Sequence, residues 1–246
     1  MTNDELPIRT ATPDDWAAIS RLLYSAFNET SSEEQDEVDR GTFEPERCLV
    51  VTEGAEIVGT AGVFTRDLTV PGAVVPAAHV TQVAVAATHR RGGLLRRLMV
   101  RQLRDVRARG EPLALLWASE GCIYQRFGYG HAAPKLSLEV DTRQVRLAPT
   151  TAPGGRLRAA EPASVRNELA KVYEQVRADR PGYSSRDERW WTYLLADLPS
   201  RREGRTERRA VLHEGPAGVD GYALWRAKPS WDAAGPRGEV HAGEVV

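Results

Sequence analysis

Two clusters in this sequence have residue types and spacing that could do chemistry. In the first, the apolar run Val83, Ala84 and Val85 leads through Thr88 and His89 into Arg90, Arg91, Gly92 and Gly93, then Leu94, Leu95, Arg96 and Arg97. This reads as a buried strand running into a turn that opens an amphipathic helix. The first amides of a helix have no partner within it and carry the positive end of its dipole, so a turn of small residues there lets a phosphate approach closely. Gly92 and Gly93 supply the close approach, and Arg90, Arg91, Arg96 and Arg97 supply cations able to pair with phosphate oxygens. The expected chemistry is the seating of a pyrophosphate. The spacing matches neither the Gly-x-Gly-x-x-Gly of dinucleotide folds nor a loop ending in Gly-Lys-Ser/Thr.

The second cluster follows the apolar run Leu113 to Trp117: Ser119, Glu120, Gly121, Cys122, Ile123, Tyr124, Gln125, Arg126, Phe127, Gly128 and Tyr129. A tyrosine with its reference pKa of ~10 stays protonated at neutral pH and can donate that proton. Residue type alone leaves Tyr124 open between a proton donor and a ring packed beneath the loop. Tyr129 is the runner-up, and its place between Gly128 and Gly130 suits a turn. Cys122 reads as a small filler.

These clusters need elements to hold them. Leu95, Met99 and Leu103, with Leu98 and Val106, recur at helical spacing and predict a helix with one face on a core. Upstream, Ile8 and Arg9 begin a strand, and Thr12 to Asp15 cap a helix whose stripe is Trp16, Ile19, Leu22, Leu23 and Phe27. An acidic stretch from Glu29 to Asp39 reads as a solvated loop, or as a rim that steers polycations. Cys48 to Val51 and Glu56 to Phe64 read as strands around a Glu53-Gly54 turn, and Val70 to Gly72 as a further turn. Strands followed by strand, helix, strand predict an α/β (α+β) sheet with a crossover helix. After Ser137 to Asp141 the pattern breaks at a Pro/Gly/Thr-rich stretch, so the expected domains are 1–147 and 156–246, with 148–155 as linker. The second segment repeats the grammar: a strand at Arg156 to Arg158, a helix opened by Glu161 and Pro162, strands at Arg208 to Leu212 and Asp220 to Trp225, and an apolar final strand from Gly238. That last strand is expected to leave an unpaired edge.

Composition bounds the rest. The chain has 246 residues, 41% of them hydrophobic and 27% charged, with a formal net charge of -1. That balance argues against a general nucleic-acid binder, and two cysteines are too few for a disulfide framework or a metal cage. His79, His89, His131, His213 and His241 lack metal-ligand spacing, so no metal is expected. With no leader-like start and no membrane-length apolar run, the cytoplasm is the expected compartment and no membrane partner is expected.

The Arg-x-x-Gly-x-x run from Arg90 to Leu95, together with Tyr124-x-x-Phe127-Gly128-Tyr129 downstream, resembles the Gcn5-related N-acetyltransferases (GNAT), and among them the enhanced intracellular survival branch. The resemblance runs from about Ile8 to Asp141 and more loosely beyond. It implies a mixed central sheet followed by a second, incomplete domain of the same kind, the front portion of the family's architecture. It also implies acetyl-CoA as co-substrate and a cationic amine acceptor, either aminoglycoside-like or a lysine side chain; homo-oligomers, commonly hexamers, occur in the family. Carried over by motif, Val83, Ala84 and Val85 would hold the pantetheine arm through their backbone; Arg91, Gly92, Gly93, Leu94, Leu95 and Arg96 would hold the pyrophosphate; Ser119 and Glu120 would lie along the cofactor. Tyr124 would be the acid that protonates the departing thiolate. Gly92 stands where the family usually has arginine, and Leu95 where many members have glycine or alanine. The family's base is a carboxylate at the end of a much longer chain, and no residue here inherits that role. The alternative expectation is a catalytically impaired acyl-CoA-binding or regulatory module.

Overall fold

A computed structural model describes residues 5–30, 32–134, 136–142, 144–146 and 154–246. The first sheet holds β1 (Ile8–Thr10), β2 (Leu49–Glu53), β3 (Glu56–Val70), β4 (Ala73–Val85) and β5 (Leu113–Leu115) in that spatial order. Its first four strands are antiparallel, and β5 runs parallel to β4. Parallel neighbours need a crossover, which α3 (Leu94–Ala108) supplies.

Alternation along β2 sorts the helices onto two faces. Val50 packs with Ile19 of α1 (Trp16–Phe27), whereas Leu49 and Val51 pack with Leu94 and Leu98 of α3. Leu98 is fully buried, worth about 1.5 to 3 kcal/mol for a side chain of its size. The expected stripes need two corrections. Phe27 is 47% exposed at the last turn of α1, where Asn28 adopts a left-handed conformation and the chain leaves the sheet. On α3 the buried set is Leu94, Leu98, Met99, Gln102 and Val106, and Leu103 is only half-buried. Gln102 lies within the apolar face because its amide donates to the Gly62 carbonyl at 3.0 Å.

The acidic stretch is a helix rather than a loop: α2 (Glu33–Arg40), with the Ser32 hydroxyl accepting from the Gln35 amide. Glu33, Glu34 and Asp36 in its first turn complement the helix dipole. Asp36 also faces inward, accepting from Trp16 Nε1 at 2.9 Å and from the Ser20 hydroxyl.

Strands β3 and β4 form a long hairpin closed by Pro71 and Gly72, whose φ of +79° favours glycine. A bulge interrupts it between Thr60 and Gly62, where Gln82 adopts a φ of 52°.

The second sheet has the order β11 (Glu239–Val245), β8 (Gly218–Lys228), β7 (Arg209–Gly215), β6 (Arg156–Ala160), all antiparallel. Between β8 and β11 lies a small hairpin, β9 (Trp231–Asp232) and β10 (Gly235–Pro236). Helices α5 (Arg166–Arg177) and α6 (Glu188–Leu195) close a core of Leu169, Val172, Tyr173, Trp191, Leu212 and Tyr222. The final strand lies at a sheet edge, as expected, with Val240 and Val245 exposed. Residues 137–141 form no strand, and of the expected linker residues 148–153 lie outside the described residues.

The tip of the β3–β4 hairpin is gripped by the segment between α5 and α6. Gly182 donates its amide to the Thr69 carbonyl, Thr69 donates its amide to Tyr183, and Ser185 donates its amide to Asp67, at 2.8, 2.8 and 2.9 Å. Arg66 Nε donates to the Ser185 carbonyl at 2.7 Å, and the Thr69 hydroxyl donates to Arg177. On the same face Phe64 meets Trp190 edge-on, with ring centroids 4.9 Å apart, and the Arg66 guanidinium lies 4.2 Å over the Trp190 ring.

Candidate active site

The pairing of β5 with β4 covers only Ala77, Ala78 and His79, so β4 continues beyond it with an edge that β5 does not pair. Which peptide groups face that edge follows from one hydrogen bond. Ala86 donates its amide to the Val58 carbonyl at 2.9 Å, and peptides alternate along a strand, so Ala84 also turns toward β3 while Val83 and Val85 turn toward the open edge. Of the three expected backbone contacts, Val83 therefore presents its N–H and C=O groups to the opening, and Val85 its N–H, the Val85 carbonyl accepting from Arg90 Nε at 3.3 Å. The peptide of Ala84 belongs to the ladder with Thr60. The bulge at Gln82 lies one residue before this edge, and Gln102 fixes it from α3 through Gly62.

Strand β4 then feeds the Arg/Gly turn. Gly93 is the N-cap of α3 with a φ of 86°, a left-handed conformation that an L side chain adopts at a cost of roughly 1–2 kcal/mol. The Arg97 amide bonds the Gly93 carbonyl at 3.1 Å, so the amides of Leu94, Leu95 and Arg96 are the ones at the helix start with no intrahelical acceptor. Arg91, Gly92, Gly93 and Arg96 are exposed.

The four arginines separate into two kinds. Arg90 donates to the carbonyls of Val85 and Ala26, each at 3.3 Å, and Arg97 donates to the Leu6 carbonyl at 2.7 Å. Those two brace the backbone around the turn. Arg91 and Arg96 are exposed, in the turn and in the first turn of α3.

Tyr124 ends the short helix α4 (Gly121–Tyr124), whose N-cap is Glu120; Ser119 and Glu120 are exposed. The chain tightens into a 3-10 turn over Gln125–Phe127 and reverses at Gly128, with a φ of 92°, which brings Tyr129 back onto Tyr124. The two rings meet edge-on with centroids 5.8 Å apart. Val83, Leu95, Tyr124 and Tyr129 all pack on one buried cluster that includes Val80 and Met99, so the strand end, the helix start and both phenols converge. Burial raises the pKa of Tyr124, with the charge of Glu120 adding to it, and burial pushes Tyr129 up to about 12. Both phenols are therefore firmly protonated at neutral pH.

Two expectations change here. Cys122 is exposed, so it fills no core; the buried thiol is Cys48, pushed up to about 11 by burial. Trp117 is 91% exposed because β5 stops at Leu115. Sequence reasoning missed the role of Gln102, whose signal was a polar residue inside an otherwise apolar helical stripe.

The sequence profile of the acetyltransferase (GNAT) domain matches residues 7–132, which includes the open strand, the Arg/Gly turn and both tyrosines. The chain belongs to the GNAT acetyltransferase family. A second GNAT-domain profile matches residues 182–246, so both sheets carry GNAT-like sequence. An uncharacterized N-acetyltransferase of Streptomyces avermitilis is 42% identical over 243 residues, covering 98% of this chain and 59% of that protein. The N-acetyltransferase Eis of Mycobacterium tuberculosis is 40% identical over 225 residues, covering 87% of this chain and 54% of its own length. The crystal structure of Eis1 from Mycobacterium abscessus superposes with a TM-score of 0.79 at 29% identity, over 98% of this chain and 58% of that one. This GNAT chain thus spans somewhat more than half the length of the curated relatives it matches.

Proposed function

We propose that this GNAT protein transfers an acetyl group from acetyl-CoA to a primary amine of a cationic acceptor, either aminoglycoside-like or a lysine side chain. The observation that carries the reading is the junction of β4 and α3, where Gly93 caps the helix in a left-handed conformation and three amides stand free in a stretch that carries the exposed Arg91 and Arg96. Such a helix start favours a diphosphate. The residues fit acetyl-CoA further along its length: the N–H and C=O of Val83 and the N–H of Val85 are turned to the open edge, where an extended pantetheine arm can bond as an added strand does.

Acetyl-CoA supplies the thioester. The amine nitrogen attacks the thioester carbonyl, the C–S bond breaks, and the sulfur leaves with the electron pair. Tyr124 gives its proton to that sulfur, and the proton shed by nitrogen restores the phenol. A lysine-like amine is mostly protonated at neutral pH, and holding it neutral costs about 4–5 kcal/mol from a reference pKa of ~10.4. The exposed carboxylates Glu29, Glu33, Glu34 and Glu37 on and before α2 support a cationic acceptor, because they attract it over distance.

The test is calorimetry with acetyl-CoA together with thiol release in the presence of kanamycin or a lysine peptide. Heat of binding and acceptor-dependent thiol release are expected. Binding without turnover would identify an acyl-CoA-binding module, and no binding would remove the reading altogether.

A further inference from the structure

Gln102 is the one polar side chain in the buried face of α3, where it stands with Leu94, Leu98, Met99 and Val106 and is 2% exposed. Its Nε2 donates to the Gly62 carbonyl at 3.0 Å, and among the described residues its Oε1 has no hydrogen-bond partner. A carbonyl only accepts, so the amide cannot be turned the other way. Burying an amide with its oxygen unpaired is destabilising relative to an apolar side chain of the same size. Methionine would fill the place and complete the stripe, so packing leaves the glutamine unexplained. The Gly62 carbonyl accounts for it.

Gly62 adjoins the bulge of the β3–β4 hairpin. The pairing of Thr60 with Ala84 and of Gly62 with Thr81 leaves Ala61 of β3 opposite two residues of β4, Gln82 and Val83. Gln82 takes a φ of 52°, and a Cβ on Gly62 would collide with the Gln82 side-chain oxygen. The extra residue changes which side chains of β4 face α3. Before it, Ala78 and Val80 pack with Met99; after it, Val83 and Val85 pack with Leu94 and Leu98. An unbroken strand would carry that face on to Gln82 and Ala84. Side-chain face and peptide direction alternate together along a strand, so the peptide of Ala84 would then turn to the open edge in place of those of Val83 and Val85.

We propose that Gln102 is a positioning residue for the pantetheine arm of the donor. It touches neither the arm nor the diphosphate: by binding the Gly62 carbonyl it keeps the extra residue in β4, and so selects the backbone groups that meet the arm. This rests on the acetyl-CoA reading above. Gln102 lies nine residues beyond Gly93, roughly 13 Å along the helix, so its replacement leaves the helix start in place.

The experiment compares the full chain with Gln102→Met, which keeps the volume and removes the donor, and with Gly62→Ala, which presses on Gln82 from the other side. The first readout needs no ligand. In the wild type the Ala84 amide, bonded within the ladder, is expected to exchange its hydrogen more slowly by NMR than the Val83 amide at the open edge; in both variants that difference should shrink or reverse. The second readout is calorimetry with acetyl-CoA and with ADP, which carries the diphosphate and lacks the arm. In the variants the Kd for acetyl-CoA is expected to rise about tenfold or more, with that for ADP changed less than twofold. A folded Gln102→Met chain with wild-type exchange or wild-type affinity for acetyl-CoA overturns the role. An equal loss of affinity for both ligands overturns it too, because it reports general damage and not the arm. A wild-type chain that binds no acetyl-CoA fails on the earlier reading instead, and the exchange pattern still decides whether Gln102 holds the bulge.

Discussion

His79 is held between two neighbours of different origin. Its Nδ1 lies 3.1 Å from the Ala77 carbonyl, which can only accept, so Nδ1 carries the hydrogen and Nε2 accepts from the Ser184 hydroxyl at 2.7 Å. Burial, with the nearby Arg66 charge adding to it, depresses the pKa to about 4, while the Ala77 contact and Glu111 act the other way. A base whose pKa falls on folding binds fewer protons folded than unfolded. Its contribution to stability is therefore complete above the ordinary value of about 6.5 and is lost as pH falls toward 4, at no more than about 1.4 kcal/mol per pH unit and less where solvent reaches the ring. Melting temperature measured between pH 7 and 4 should fall less steeply in His79→Asn than in the wild type; parallel curves would contradict this. At this scale the sequence was readable where residue type decides. Gly93 caps α3 and Tyr124 ends a short helix, as their motifs suggested, and Tyr129 follows the Gly128 turn as its flanking glycines suggested; nothing local announced that Tyr129 would fold back onto Tyr124 or which arginines would brace carbonyls.

The elements that position the site are a strand with a bulge and a helix with a left-handed cap, and they are joined by Gln102 and Gly62. Replacing Gly93 by alanine imposes a Cβ on a φ of 86°, which should cost roughly 1–2 kcal/mol and turn the first amides of α3 away from their shared direction. Urea unfolding should show that loss, and calorimetry should show acetyl-CoA binding weakened by more than the loss of stability alone would give. Unchanged affinity in a folded variant would contradict the use of those amides. The strand, turn and helix were legible from hydrophobic spacing because each is a local pattern. The bulge was not, since it depends on the pairing of β4 with a strand some twenty residues away, and a polar residue such as Gln102 interrupts the same periodicity by which a helix face is recognised. The acidic stretch was misread for a similar reason: Asp36 and Asp39 face α1, where Trp16, Ser20 and Tyr24 meet them.

Across the whole molecule, the two sheets are joined by contacts between residues more than a hundred positions apart, such as Arg66 with Ser185 and Thr69 with Arg177. No short-range pattern announces such pairings, and the sequence accordingly suggested two neighbouring domains without suggesting how they meet. Ion pairs add to the join: Arg189 lies 3.6 Å from Glu44, and Arg201 lies 3.7 Å from Asp39. A protein whose halves are laced together in this way does not depend on its covalent connection to stay whole. If a protease site is introduced between Asp141 and Arg156 and the chain is cut there, the two fragments should elute from a gel-filtration column as one particle of the original size. They should part only when denaturant melts the hairpin tip away from Tyr183 and its neighbours.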